Sequence, residues 1–172
     1  MNRTLNQAQT NGLSYGLENN KYSTMEQLQQ IAKIAFASEF SFALKAQNFH
    51  WNVEGKDFYE FHLLFERIYD EVYGSIDDFA ENLRKLQTYT PASLSRFNML
   101  TKIEDETEII PLEAMVKELL MDNEKMIIIL KKTYNAAEAA GKHGFSNFLA
   151  ERMDAHEKHG WFLRSSTRGQ QQ

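Results

Sequence analysis

The chain of 172 residues contains no cysteine, so neither a disulfide framework nor a thiolate metal site can be built from it. Proline is almost as scarce: Pro91 and Pro111 are its two instances, and both stand where helical patterning begins. No apolar run approaches the roughly 18 residues needed to span a membrane, and the first ten residues lack the apolar stretch of a secretory signal. The expected location is therefore the cytoplasm, with no membrane partner. Acidic residues outnumber basic ones, and the formal net charge of −5 argues against a globally basic nucleic-acid surface. Sustained strand alternation is also missing. What is present suits a globular domain with a sizeable core: 42% of residues are hydrophobic and 25% are charged.

Residues 1–22, rich in Asn and Gln, are expected to form a flexible tail. The domain proper is expected over 23–166, with a short C-terminal tail at 167–172. Ser23 with Glu26 predicts a capping box opening a helix over 24–52, in which Leu28, Ile31, Ala35, Phe42 and Phe49 recur at helical spacings. Gly55 marks a break, and Asp57 with Glu60 forms a second capping signature for a helix over 58–87. Thr90-Pro91 predicts a short helical piece over 91–98. A polar stretch then leads to Pro111 and a third long helix ending at Gly141, read as the glycine just past a helix end. A fourth, over 144–166, carries Phe145, Phe148, Leu149, Trp161, Phe162 and Leu163 as its apolar members. Four long helices with a connection of roughly 20 residues between the second and third predict an all-α, ferritin-like four-helix bundle.

Between positions 50 and 81 lie His50, His62, Glu66, Asp77 and Glu81. Imidazole with several carboxylates is a ligand set suited to iron, manganese or zinc. On one helix, with His62 set at zero, Glu66 falls near about 40°, Asp77 near about 60° and Glu81 near about 100°. All four share a stripe, yet Glu66 and Asp77 are separated by roughly 16 Å along the axis. Metal–ligand bonds of about 2 Å cannot cross that gap. One helix therefore offers two half-sites. A second, antiparallel copy across a two-fold axis near residues 71 and 72 brings His62 and Glu66 of one chain opposite Asp77 and Glu81 of the other, giving two identical sites per dimer. His50 returns to the same region from the preceding helix. The chain has no Glu-x-x-His, which argues against a centre inside a single bundle. Trp51 is expected in packing or an interface, Asp70 on the surface, and His156 and His159 at an interface or the surface. Gly74, inside a helix, costs about 1 kcal/mol relative to alanine.

The string Asn48-Phe49-His50-Trp51-Asn52-Val53-Glu54-Gly55, followed by Phe58, His62, Asp77, Ala80 and Glu81, resembles the signature of the Dps mini-ferritins, the DNA-binding proteins from starved cells. The resemblance continues through Pro91, Ser93, Leu94 and Phe97 and through 156–164, so it spans about 25–166. It implies subunits with a short extra helix in the long connection between helices 2 and 3. Twelve of them would form a hollow homo-dodecamer of about 240 kDa from chains of 20.0 kDa. It further implies ferroxidase centres at two-fold interfaces, where Fe(II) is oxidised, preferentially by hydrogen peroxide, and stored as Fe(III) mineral, protecting DNA from oxidative damage. By matching positions, the catalytic and metal-binding residues are His50, His62 and Glu66 of one subunit with Asp77 and Glu81 of its neighbour. They would hold a mono-iron or di-iron centre that Zn or Mn could occupy instead.

Three departures stand out. Glu66 replaces the family's usual Asp, and Asn82 replaces an arginine beside Glu81. Lys142, Asn147 and Glu151 stand where the family's acidic three-fold pore is expected, which makes that pore much less acidic. An alternative reading is a nucleoid-associated protein that condenses DNA, with iron chemistry secondary. Arg3 and Lys21 are the basic residues of the first 22, opposed by Glu18, so few phosphates could be neutralised and DNA binding is expected to be weak. The presence of all five ligand-type residues favours the ferroxidase over a purely structural cage.

Overall fold

Ser23 opens the first helix through a reciprocal pair of hydrogen bonds. Its hydroxyl accepts from the Glu26 N–H at 3.2 Å, and the Glu26 carboxylate accepts from the Ser23 N–H at 2.8 Å. The box satisfies N–H groups that the helix itself leaves unpaired. The computed structural model describes residues 23–167, in which there are five helices and no strand. They are α1 (Thr24–Asn52), α2 (Phe58–Lys85), α3 (Leu94–Leu100), α4 (Leu112–Ala139) and α5 (His143–Thr167). The tails expected at 1–22 and 167–172 lie outside the described residues, except that α5 itself reaches Thr167.

α4 ends in a Schellman motif: Gly141 takes φ +66°, its N–H donates to Glu138 O at 3.0 Å, and the Lys142 N–H donates to Ala137 O at 2.9 Å. α2 ends in the same motif without a glycine. Gln87 adopts φ 60°, with its N–H on Arg84 O at 2.9 Å and the Thr88 N–H on Leu83 O at 3.4 Å. The expected end at 87 is therefore two residues late, because the residue that signals the stop is not one that normally adopts this conformation. Asp57 makes no side-chain cap to α2, contrary to the capping signature. α3 is capped by the Ser93 hydroxyl, which accepts from the Arg96 N–H at 3.4 Å, and starts later than the Thr90-Pro91 pair suggests. The Thr90 hydroxyl donates instead to Ala80 O at 2.9 Å and ties the connection to α2.

α1 packs on α2 and α4, α4 packs on α5, and α3 lies against α1. Phe42, Phe49, Phe65, Phe79, Ile68, Leu119, Met126 and Leu130 are fully buried between them. Phe97 of α3 stacks on Phe40 of α1 with ring centroids 4.3 Å apart. Phe145, Leu149 and Leu163 of α5 join the core as expected, whereas Trp161 is 59% exposed.

A charged cluster sits inside this apolar frame. Glu39 is fully buried on α1; Arg152 Nε donates to its Oε1 at 3.2 Å, and His156 Nε2 contacts its Oε2 at 2.8 Å. The Arg152 guanidinium also forms a two-pronged pair with Glu71 of α2, with Nη2 to Oε2 at 3.1 Å. His159 Nε2 lies 2.8 Å from the same carboxylate. His156 Nδ1 meets Asn123 Oδ1 of α4 at 2.8 Å. His156 and His159 are thus interior residues, not surface ones: charge on α1 and α2 draws them in, and such partners are invisible in α5 alone.

Burial by itself would raise the Glu39 carboxyl, but the charges of His156 and Arg152 hold it below the usual carboxylate range. Glu71 behaves likewise: burial opposes ionisation, while the bonds from His159 and Arg152 bring it down to about 2. Burial also holds His159 below the ordinary histidine value. Each of these groups binds more protons unfolded than folded, so each contributes stability at higher pH that is lost on acidification. We expect the melting temperature, followed by circular dichroism, to fall first below pH 6.5 as His159 is protonated. It should fall again from 4.5 towards 2 as the Glu71 carboxylate is protonated. Glu71→Gln should flatten the second phase, and an unchanged acid slope in that variant would remove Glu71 from the account.

Candidate metal centre

α1 and α2 run antiparallel through the short turn at Gly55, whose φ of +112° is open to glycine at little cost. The turn brings His50, near the end of α1, against His62, in the second turn of α2. Each ring bonds to the other residue's backbone: His50 Nδ1 to His62 O at 2.8 Å, and His62 Nδ1 to His50 O at 2.8 Å. A carbonyl oxygen can only accept, so each Nδ1 must carry the proton. Nε2 is left as the lone-pair nitrogen on both rings, the state in which a neutral imidazole binds a metal. The rings stack with centroids 3.8 Å apart and planes 21° from parallel, so the two imidazoles lie side by side. Phe58 and Tyr69 border it, at 5.0 Å from His62 and 5.2 Å from His50. Burial, together with the Asp70 and Glu66 carboxylates, holds the Tyr69 phenol above its usual value.

Glu66 lies one turn beyond His62 on the same stripe and is half-buried, while Asp77 and Glu81 are exposed further along α2. Among the described residues no three His, Asp or Glu side chains converge closely enough to hold a metal. The subunit therefore brings His50 and His62 together, keeps Glu66 nearby, and leaves Asp77 and Glu81 on another part of the helix. The donor chemistry fits a first-row divalent metal. Trp51 is 64% exposed, and Phe58, Tyr59 and Leu63 are also uncovered close to His62. Asp70 is exposed as expected. A Cβ on Gly74 would meet nothing within the subunit, so no close approach inside the chain explains that glycine.

Sequence reasoning missed the polar group of Glu39, Asn123 and Arg152, all buried, with Glu71 at its exposed edge. A signal was available for one member: Glu39 interrupts the apolar face of α1 made by Ala32, Ala35, Phe36, Phe42, Ala43 and Ala46, all buried.

Residues 25–168 match the family described as ferritin-like domain. Similar curated proteins include a DNA protection during starvation protein of Helicobacter pylori, 30% identical over 135 residues, covering 78% of this chain and 94% of the relative. DNA protection during starvation protein 2 of Bacillus anthracis is 31% identical over 121 residues, covering 70% and 83%. Among solved structures, Dps from Thermosynechococcus elongatus superposes with a TM-score of 0.82 at 25% identity, covering 86% of this chain and 94% of that one. Dps from Bacillus brevis gives 0.80 at 26% identity, covering 84% and 97%. The fold is thus that of the ferritin-like proteins, with four long helices and the short α3 in the long connection. Within that class, the chain belongs to the Dps family of mini-ferritins.

The reciprocal bonds make a direct prediction about proton placement. With ring-labelled histidine, of which the chain has five, nitrogen solid-state NMR of the metal-free protein should show His50 and His62 protonated at Nδ1. Signals assigned to Nε2–H tautomers would contradict the geometry described above.

Proposed function

We propose that the protein is a ferroxidase and iron-storage cage whose centres are shared between subunits. Fe(II) is the substrate, held by His50 and His62 through Nε2 and by Glu66 of one chain, with Asp77 and Glu81 supplied by the other. One observation carries the reading: the paired imidazoles present Nε2 from one end of α2, while the remaining carboxylates on its stripe lie well down the helix. An antiparallel partner closes that separation, and the exposed aromatic side chains beside His62 supply surface for it to bury. The relatives from Helicobacter pylori and Bacillus anthracis named for DNA protection during starvation support the same function.

In this reading hydrogen peroxide accepts one electron from each of two Fe(II) ions and leaves as two hydroxides, so no one-electron reduction product escapes toward DNA. The chain's residues fix the ions at the interface, and the fixed tautomers keep both imidazoles ready without a proton to expel. The Fe(III) product then enters a cavity enclosed by twelve copies. DNA is protected chiefly by the removal of iron and peroxide; the sparse basic residues of the tails give direct DNA contact a minor part.

Mixed cages test the shared centre. His62→Ala and Asp77→Ala should each abolish peroxide-driven iron oxidation. A heterodimer of the two has one intact centre and one carrying both defects. Random co-assembly in equal amounts should therefore restore about a quarter of wild-type activity, since half the dimers are mixed and each has one good centre. Verified mixed cages with no activity would remove the intersubunit arrangement.

Iron entry gives a second test. Lys142 follows the Gly141 turn and is half-buried, while Asn147 and Glu151 are exposed on the second and third turns of α5. If these residues surround a three-fold pore, three lysines offset much of the attraction of three glutamates for cations. Lys142→Asp should then speed iron uptake measured by stopped-flow, most clearly at low ionic strength, where screening is weakest. An unchanged rate at low salt would mean that entry is elsewhere or is not limiting.

A further inference from the structure

Of the helix pairs in contact, α2 and α5 approach each other least, and charged side chains join them. Arg152 pairs with Glu71, and His159, two turns further along α5, reaches the same carboxylate. Beyond His159, Arg67 of α2 lies over the Phe162 ring, its guanidinium carbon 4.5 Å from the centroid. There the two helices part around an open groove of about 740 Å³, lined by Phe61, Leu64 and Arg67 of α2 and by Trp161, Phe162 and Ser165 of α5. The end of α5 carries little apolar anchoring of its own. Over 157–166, Leu163 is the one apolar side chain that is fully buried. Gly160, in the same stretch, costs about 1 kcal/mol of helix stability relative to alanine.

The charges around His159 are balanced without it. Glu39 from α1 and Glu71 from α2 face Arg152 and His156 from α5, and α4 presents the uncharged Asn123. Asn123 Nδ2 donates to the His156 backbone carbonyl at 2.8 Å, so its Oδ1 is the atom that faces His156 Nδ1. Glu39 Oε2 faces the other ring nitrogen. Both nitrogens of His156 meet acceptors, so each carries a proton and two cations stand against two anions. His159 is the odd member. Its Nε2 donates to Glu71 Oε2 at 2.8 Å, whereas its Nδ1 is the one buried side-chain nitrogen or oxygen among the described residues without a hydrogen-bond partner. A proton placed on Nδ1 would add an uncompensated charge beside Arg152 and His156, on an N–H with no acceptor. Burial, with those two cations, accordingly holds His159 below the ordinary histidine value against the pull of Glu71.

We propose that His159 is an acid-operated latch: neutral, it ties the end of α5 to α2 through Glu71, and on taking a proton at Nδ1 it leaves the cluster and lets the last turns of α5 open. In water both N–H groups of the released ring find partners. The open form therefore binds the proton more readily and gains population as pH falls below the ordinary histidine value. Trp161 and Phe162 move with the segment, so the groove between α2 and α5 loses one wall. Glu39 and Glu71 stay ionised through that range, and their pairs with Arg152 keep the earlier turns of α5 in place. Opening is thus local, distinct from melting of the whole domain. The latch does not depend on the proposed ferroxidase centre.

Hydrogen exchange of the assembled full-length protein, read by mass spectrometry, tests the latch. It is followed from above pH 6.5 down to pH 4.5, the ordinary histidine and carboxylate values, with each rate taken relative to an unstructured chain at the same pH. Amides of 157–167 should exchange at least about threefold faster at the acid end, while those of α1 and of 143–152 keep their protection. His159→Gln, whose side-chain amide can still donate to Glu71 but does not titrate, should abolish the acceleration. Exchange at 157–167 that does not respond to pH overturns the proposal, as does an acceleration that His159→Gln retains or that every helix shares equally. Should His159→Gln not fold, titration of the wild-type His159 ring by carbon NMR decides. A midpoint that coincides with that of the exchange supports the latch, and one that does not overturns it.

Discussion

A carboxylate with no access to solvent sits on the inner face of α1, and the rest of the bundle is arranged around it. Glu39 would be costly to bury unpaired. Arg152 and His156 reach it from α5, Arg152 continues to Glu71 on α2, and Asn123 on α4 holds the far side of His156. Neutralising one buried charge thus fixes how α5 is rotated against the other three long helices. Removing Arg152 alone leaves Glu39 compensated only by His156; breaking buried pairs of this kind typically costs about 3–5 kcal/mol. A second buried pair works in parallel: Lys45 Nζ on α1 lies 2.7 Å from Asp122 Oδ2 on α4, and Lys125 holds the other oxygen at 2.8 Å. Asp122 and Asn123 are adjacent, so one stretch of α4 is anchored to both α1 and α5.

With α1 held in this way, its last turn becomes a dependable platform. The reciprocal bonds between His50 and His62 then do two things at once. They stitch the end of α1 to the start of α2, and they choose the tautomer that leaves both Nε2 atoms as donors. Structural and chemical requirements meet in the same pair of hydrogen bonds, with no separate carboxylate spent on orienting either ring.

The two polar groups of the subunit contrast in how their charge is settled. Around Arg152 two carboxylates, Glu39 fully buried and Glu71 partly exposed, are neutralised by residues of the same chain. On α2 the carboxylates of Asp77 and Glu81 remain exposed and make no ion pair among the described residues, and the aromatic side chains near His62 are uncovered. A surface that is both charged and apolar suits contact with a second copy more than contact with water. The overall backbone follows that of Dps from Thermosynechococcus elongatus despite 25% identity. Apolar periodicity and helix length are enough to maintain such a bundle, while individual polar residues are free to differ.

The legible part of the sequence was the part governed by local rules. Ser23 with Glu26, the glycine just past a helix end at Gly141, and the 3.6-residue recurrence of apolar side chains determine helices from neighbours a few residues away, and the structure reproduces them. The stripe of His62, Glu66, Asp77 and Glu81 is legible for the same reason, since helical pitch alone sets its angles. Where the local signal was weak the reading slipped, as at Asp57, which makes no cap, and at Gln87, which ends α2 without a glycine. The tertiary structure alone decided which residues meet from different helices. That Nδ1 of both His50 and His62 is bound by backbone carbonyls, that His156 and His159 turn inward, and that Arg152 stands between Glu39 and Glu71 all depend on contacts 12 to 117 positions apart. Charge in a low-dielectric interior must find a partner wherever the fold places one, and no local pattern along the chain records where that is.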